Sequence, residues 1–196
     1  MVRKITFWLS LAVFSAEAAA AVDVQSLSKE KVTKSGLYLT AQDVSEHMQK
    51  HGNKTLFLDV RTRAEVNFLG MATLADANVP YSEINEWYAW DDKKKELKLE
   101  VNSDFASEVE KRLAAKGLSK SDTVILMCRS GQRSAKAADL LVELGYKNVY
   151  TVVDGYEGDK AKEGAHKGQR VVNGWKNAGL PWSYELDQAK MYRLGK

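Results

Sequence analysis

The stretch DTVILMCRSGQRSAKAADLLVELGYKNVYTVVDG, residues 122–155, decides the fold. It opens with an apolar run at 122–128, continues as a helical pattern that Gly145 ends, and closes with a second apolar run at 148–155. These segments predict a strand, a helix and a second strand. The two strands should run parallel in one sheet, because the helix returns the chain to the edge where the first strand began.

The segments in front of this stretch extend the same pattern. Thr40 and Asp43 resemble a capping box, which predicts a helix from Ala41 to Lys50. The apolar run at 55–61 predicts another buried strand. We therefore predict an α/β fold with a central, mostly parallel sheet and helices on both faces. Further predicted elements are a short strand at the start of 78–84, a mainly helical region over 82–116 with one helix at 103–116, and a short helix at 171–182. The charged stretch DDKKKELKLE at 91–100 interrupts the helical region and is predicted to be a solvated face or a loop.

The first 21 residues have the pattern of a secretory signal peptide. Arg3 and Lys4 precede a mostly apolar run from Ile5 to Phe14, and an alanine-rich cleavage region follows. The run is too short to span a membrane comfortably, so we predict cleavage, export to the bacterial periplasm and no stable membrane anchor. The expected division of the chain is a signal peptide at 1–21, a flexible lead-in at 22–35, a domain at 36–186 and a tail at 187–196.

Composition and charge exclude one class of partner. The chain has 196 residues, of which 44% are hydrophobic, enough to build a core without cross-links. Its 29 Lys and Arg residues and 26 Asp and Glu residues give a formal charge of +3. So small an excess argues against a protein that binds nucleic acid.

Cys128 is the only cysteine and stands where the first strand of the quoted stretch ends. Parallel α/β sheets bind ligands beyond the carboxyl ends of their strands. Arg129 and Arg133 add positive charge, Gly131 permits a tight turn, and the following helix adds free N–H groups. Such surroundings favour a thiolate and an anion held above it. The competing interpretation is a free cysteine that simply ends a buried strand.

CRSGQRS at 128–134 resembles the active-site loop of the rhodanese (sulfurtransferase) family. LFLDVRTRAEV at 56–66 and NGWKNAGLPW at 173–182 resemble other segments of that family, and the resemblance covers about residues 36–184. The chain departs from the family pattern where FLGMATLADANVPY lacks the usual histidine. It also carries an insertion at 158–170, which is either a flap or a surface loop.

The resemblance implies an exported rhodanese-like sulfurtransferase of a single domain. A Cys128 persulfide would carry sulfur from a small anionic donor such as thiosulfate to cyanide or a thiol, and the thiol can belong to a protein. No metal and no organic cofactor are implied. In the resemblance, arginines bind the donor and serines donate hydrogen bonds. The implied substrate-binding residues are Arg129, Ser130, Gly131, Gln132, Arg133 and Ser134.

Two further groups of residues have predicted structural roles. Asp59 and Arg61 end the neighbouring strand, and we predict an ion pair that orders the loop, with Arg133 as a further partner. Trp87, Tyr88 and Trp90 are predicted to pack in the core, and the alternative is that they form a wall of the pocket.

Two other functions stay open. Phosphatases and arsenate reductases also hold an oxyanion above a thiolate, but their arginine follows the cysteine by six positions. Here Ser134 has that position and the arginine comes one earlier. A rhodanese-like domain can also act as a sulfur carrier, a sensor or a docking module without being an enzyme. Hydrolysis of an aryl phosphate would support the first alternative, and absence of thiocyanate formation from thiosulfate and cyanide would support the second.

Overall fold

The structure of the protein is a computed structural model that describes residues 22–193. The predicted signal peptide and the last three residues of the predicted tail lie outside the described residues. The helices are α1 (Ala41–His51), α2 (Arg63–Leu69), α3 (Phe105–Ala115) and α4 (Gln132–Glu143). The strands are β1 (Tyr38–Leu39), β2 (Thr55–Asp59), β3 (Met71–Ala72), β4 (Ala77–Asn78), β5 (Ser82–Ile84), β6 (Trp90–Asp91), β7 (Glu96–Leu97), β8 (Leu99–Val101), β9 (Thr123–Met127), β10 (Asn148–Val152) and β11 (Trp182–Ser183).

A five-stranded parallel sheet forms the centre, in the order β1-β10-β9-β2-β4. The strand that precedes Cys128, β9, lies in the middle and pairs with β10 on one side and β2 on the other. Asp59 is the partner of Met127 in the register of β2 and β9. The residues that follow these two therefore lie next to each other at the carboxyl edge of the sheet.

Helices cover both faces of this sheet. Side chains of a strand alternate between the two faces, so neighbouring residues enter different layers of the core. Leu126 of β9 packs in a layer with residues of α3 and α4. Ile125 packs in the opposite layer with residues of α1 and α2. The prediction of an α/β fold with a central parallel sheet and helices on both faces is confirmed.

The capping box predicted for α1 is present. The Thr40 hydroxyl accepts a hydrogen bond from the Asp43 N–H, and the Asp43 carboxylate accepts one from the Thr40 N–H. The second helix, α2, was not predicted from the sequence. It also begins with a capping box, formed by Thr62 and Glu65.

The prediction of a mainly helical region over 82–116 is wrong for 82–101, although the charged stretch at 91–100 is mostly exposed, as predicted. Residues 82–101 form two antiparallel pairs, β5 with β8 and β6 with β7. Apolar Leu97, Leu99 and Val101 alternate with charged residues, and this period of two favours strands over helix. The predicted core packing of Trp87, Tyr88 and Trp90 is also wrong, because these side chains are 85%, 69% and 52% exposed.

The helix predicted at 171–182 is replaced by turns. Gly174 and Gly179 have φ angles of +97° and +68°, which a right-handed helix cannot contain. These turns bury Trp175, whose indole N–H donates to the Pro181 carbonyl at 2.9 Å. The segment therefore closes one layer of the core without regular helical structure.

The lead-in in front of β1 packs against the domain. It contains two short 3-10 turns, Val24–Ser26 and Lys29–Lys31. Lys31 is buried, and its ammonium nitrogen lies 2.8 and 2.9 Å from the two carboxylate oxygens of Asp159. The flexibility of the lead-in and the limits of the predicted segments stay predictions. Within residues 22–193, no helix combines the length and apolar character that crossing a bilayer requires.

Candidate active site

Cys128 sits in a tight loop between the end of β9 and the start of α4. Its side chain is buried, and its Sγ atom accepts a hydrogen bond from the Gly131 N–H at 3.2 Å. Gly131 is the N-cap residue of α4 and has a φ of +96°. The sulfur atom therefore lies at the N-terminus of a twelve-residue helix, where free N–H groups and the helix dipole stabilise negative charge.

The turn after β10 holds the backbone of this loop. The Cys128 carbonyl accepts a hydrogen bond from the Tyr156 N–H at 2.8 Å, and the Arg129 carbonyl accepts one from the Glu157 N–H at 3.0 Å. Gly155 is so close to the loop that a Cβ atom there would lie 2.6 Å from the Ser130 nitrogen. The two backbones therefore approach so closely that only glycine fits at position 155.

Ser134 supports the loop from inside the protein. Its hydroxyl donates to the Gly131 carbonyl at 3.0 Å and lies 2.7 Å from the hydroxyl of Thr151 on β10. The side chain is fully buried and is not among those that line the cavity above Cys128. Ser134 was predicted to contact the donor, but the structure places it between the loop and the sheet.

Arg133 is joined to Glu65 by a two-pronged ion pair. Its Nη1 and Nη2 atoms each donate to one carboxylate oxygen at 2.6 Å, and both side chains are mostly buried. Burial alone would raise the pKa of Glu65, but Arg133 and the hydrogen bonds from Thr62 lower it to about 2. Arg133 does not join the pair of Asp59 and Arg61, which is the partnership that the sequence predicts. The carboxylate that it contacts belongs instead to the first turn of α2.

Replacing Glu65 with glutamine should destabilise the protein above pH 4.5. The pKa of this carboxyl falls from 4.5 in the unfolded chain to about 2 in the fold, so its contribution is full above pH 4.5 and is lost as the pH falls towards 2. We expect Glu65→Gln to lower the free energy of unfolding by about 2–3 kcal/mol at pH 7. Urea unfolding at a series of pH values measures this.

The control for this prediction is Glu143→Gln. Glu143 pairs with Lys34 at the surface, where both side chains are more than half exposed, so its loss should cost under about 1 kcal/mol. The difference between wild type and Glu65→Gln should shrink as the pH falls from 4.5 towards 2. A difference that stays constant over that range would contradict the assignment.

Asp59 and Arg61 form a fully buried ion pair below the loop. Arg61 Nη2 lies 2.6 Å from Asp59 Oδ2 and donates to the Gly70 carbonyl at 2.7 Å. Its guanidinium group also stacks on the ring of Tyr156 at 3.6 Å. Since the backbone of Tyr156 holds the Cys128 carbonyl, the pair contacts the loop through Tyr156. Neither member lines the cavity, and their role in ordering the loop stays a prediction.

A cavity of about 490 Å³ lies above Cys128. One wall is the loop itself, a second comes from α2 and the strands β5, β7 and β8, and a third comes from the insertion. The insertion therefore contributes to the site. The lining residues are Thr62, Glu65, Ile84, Lys94, Glu96, Leu97, Leu99, Cys128, Arg129, Ser130, Gln132, Arg133, Asp159, Lys160 and Arg170.

The cavity combines the loop that the sequence predicts with charged residues of the insertion that it does not predict. Of the predicted substrate-binding residues, Arg129, Ser130, Gln132 and Arg133 line the cavity, and the Gly131 N–H contacts the sulfur. Lys160 and Arg170 were not predicted. The insertion follows β10, and its place after the carboxyl end of a parallel strand was the available signal.

Some known proteins are similar to this chain over about two thirds of its length or more. The profile of the rhodanese-like domain matches residues 40–162. An uncharacterized protein of Rickettsia conorii, RC0915, is 31% identical over 133 residues, which cover 67% of this chain and 86% of that protein. A putative mitochondrial thiosulfate sulfurtransferase of Schizosaccharomyces pombe is 57% identical over 28 residues, 14% of this chain and 20% of its own. The crystal structure of Rv0390 from M. tuberculosis superposes with a TM-score of 0.57 at 27% identity, over 76% of this chain and 97% of that one.

Proposed function

The chain belongs to the family of rhodanese-like domains, and on that premise we propose that it is a sulfurtransferase. It takes a sulfane sulfur from thiosulfate or a similar anion, holds it as a persulfide on Cys128, and passes it to cyanide or a thiol. The observation that carries the proposal is the hydrogen bond from the Gly131 N–H to the Cys128 Sγ atom. Cys128 lines a cavity together with three arginines, Arg129, Arg133 and Arg170. The short match to a putative thiosulfate sulfurtransferase supports the choice of donor.

The reaction has two displacements. The Cys128 thiolate attacks the outer sulfur of thiosulfate, the S–S bond of the donor breaks, and sulfite leaves with the bonding electron pair. The enzyme then carries Cys–S–S⁻. In the second displacement an acceptor thiolate or cyanide attacks the outer sulfur, and the Cys128 thiolate is the leaving group. Charge and sulfur balance in each step, and no outside oxidant or reductant is needed.

The residues around Cys128 stabilise the charges of this reaction. The Gly131 N–H and the α4 N-terminus stabilise the thiolate and then the persulfide. Although burial opposes it, Glu65 raises the pKa of Arg133, and negative charge on Cys128 raises it further. Arg133 therefore stays a fixed positive charge, while Arg129 and Ser130 line the cavity from which the donor approaches.

We also propose that the protein is exported to the bacterial periplasm and works there on soluble thiols or on a protein thiol. The support is the sequence of residues 1–21, with its basic start, short apolar run and alanine-rich end. The chain has one cysteine, so it forms no disulfide within itself in an oxidising compartment.

Mass spectrometry of the intact protein tests the proposed reaction. After incubation with thiosulfate we expect the mass to rise by one sulfur atom, and cyanide should then remove that atom as thiocyanate. Sulfite is the control, because it has the oxyanion but no sulfane sulfur and should leave the mass unchanged. No added sulfur at millimolar thiosulfate would contradict the proposal and favour a docking or sensor module.

A further inference from the structure

Two arginines without a carboxylate partner line the cavity above Cys128. Arg129 comes from the loop and Arg170 from the end of the insertion. Within residues 22–193, neither has an Asp or Glu oxygen within 4.0 Å of its guanidinium group. The more deeply buried cations near the loop are neutralised. Arg61 contacts Asp59, Arg133 contacts Glu65 and Lys31 contacts Asp159.

The two guanidinium groups are close enough to repel each other. Burial lowers the pKa of Arg170, and the positive charge of Arg129 lowers it further. The carboxylates of Glu157 and Asp159 raise this pKa, but neither lies within 4.0 Å of the guanidinium group. Bringing like charges together in a half-buried wall is unfavourable unless an anion lies between or above them. The cavity that both groups line is where such an anion fits.

One hydrogen bond positions the Arg170 guanidinium group and leaves its other N–H groups available to a ligand. Its Nη1 atom donates to the Gly158 carbonyl at 2.6 Å, which fixes the guanidinium group at the start of the insertion. No other hydrogen bond of this guanidinium group is made within the described part of the chain. Its remaining N–H groups match the planar fork with which arginine binds oxyanions.

We propose that Arg170 is a substrate-binding residue that, together with Arg129, binds the oxyanion end of a doubly charged sulfur donor. The pair selects dianions of the thiosulfate type over donors with one negative charge. This inference rests on the proposed function for the identity of the reaction. Arg170 lies outside residues 40–162, so this part of the site comes from the insertion and not from the segment that matches the family profile.

Charge balance supports the choice of a dianion. A thiolate and a dianion together bring three negative charges into the cavity. Among the described lining residues, four cations lie outside any ion pair, namely Lys94, Arg129, Lys160 and Arg170, and one carboxylate does, that of Glu96, so the unpaired charge of the cavity is +3. A donor with one charge would leave part of this positive charge uncompensated.

The first test compares two donors in steady-state kinetics. Thiosulfate carries two negative charges and methanethiosulfonate carries one, and both offer an outer sulfur. Removing Arg170 as Arg170→Gln should raise KM for thiosulfate about 10- to 100-fold, and KM for methanethiosulfonate less than about 3-fold, with little change of kcat. Arg170→Lys, which keeps the charge but not the fork, should give an intermediate KM. It also serves as the test if the glutamine variant does not fold.

The matched control is Lys167→Gln. Lys167 lies in the same insertion and is exposed, and it does not line the cavity. The substitution removes the same charge, so it reports the general effect of lowering the net charge of the insertion. Its KM for thiosulfate should stay within about twofold of wild type. An equal rise of KM in Lys167→Gln and Arg170→Gln would overturn the assignment of a specific site.

The second test does not depend on sulfur transfer. Iodoacetate and iodoacetamide alkylate thiolates and differ in charge, and Cys128 is the only thiol in the chain. The ratio of the iodoacetate rate to the iodoacetamide rate should fall about fivefold or more in Arg170→Gln and stay constant in Lys167→Gln. If this ratio falls while thiosulfate adds no sulfur, the anion site stands and the proposed function fails. If sulfur transfer occurs but Arg170→Gln changes neither KM nor the ratio, the inference about Arg170 fails alone.

Discussion

Replacing Cys128 with serine is expected to lower the rate of thiocyanate formation from thiosulfate and cyanide by about a thousandfold or more. A serine hydroxyl stays protonated at neutral pH and forms no persulfide, so the sulfur has no carrier. Cys128 is the only thiol in the chain, which means that no other cysteine of the protein can replace it. The measurement is the initial rate of thiocyanate formation at saturating thiosulfate.

The same variant separates the proposed reaction from its alternatives. Serine is close to cysteine in size, so the free energy of unfolding of Cys128→Ser should lie within about 1 kcal/mol of the wild-type value. The variant should still bind thiosulfate through the arginines. A wild-type rate in this variant would show that Cys128 is not the sulfur carrier. Hydrolysis of an aryl phosphate by the wild type, lost in Cys128→Ser, would favour a phosphatase instead.

Gly131→Ala is expected to damage both the fold and the reaction. The φ of +96° at this position strains any residue with a Cβ atom, and that atom would overlap the carbonyl oxygen of Val153. Strain and overlap together should lower the free energy of unfolding by roughly 3 kcal/mol. Because the Gly131 N–H contacts the Cys128 Sγ atom, a shift of the loop should also lower the rate of sulfur transfer about a hundredfold.

Gly145→Ala is the matched control at the other end of α4. Gly145 has a φ of +89°, but a Cβ atom there would meet no atom within 4 Å. Gly145→Ala therefore introduces the backbone strain without the overlap. It should lower the free energy of unfolding by about 1 kcal/mol and leave the rate of sulfur transfer unchanged. Equal losses of stability and activity in the two variants would mean that the close approach of the loop to Val153 has no special importance. Urea unfolding and the thiocyanate assay measure both.

The central architecture could be predicted because local signals and burial agree there. In β9 an apolar run is long enough for one strand only, and the pattern of α4 that follows it ends at a glycine. The Thr40–Asp43 capping box similarly fixed the start of α1, because both of its hydrogen bonds lie within four residues. Contacts of this kind are contained in a short piece of sequence.

The parts that could not be predicted depend on contacts between distant residues. Arg133 contacts Glu65, 68 positions away in the chain, whereas the sequence predicts Asp59 as its carboxylate partner. Arg170 enters the cavity only because the insertion folds back over the loop. The error at 82–101 was of another kind, since the charged residues obscured an alternation with a period of two.

The ion pair of Lys31 and Asp159 has a consequence for where the protein can be shortened. A chain that began at Gly36 would keep all five strands of the central sheet, because β1 starts at Tyr38. It would lose the ammonium group that neutralises Asp159, and the freed carboxylate would compete with incoming anions for the nearby cations. A chain that begins at Gly36 should therefore have a lower affinity for anions in the cavity. The described segment in front of β1 therefore sets the charge of one cavity wall through Asp159, although it lines none of the cavity itself.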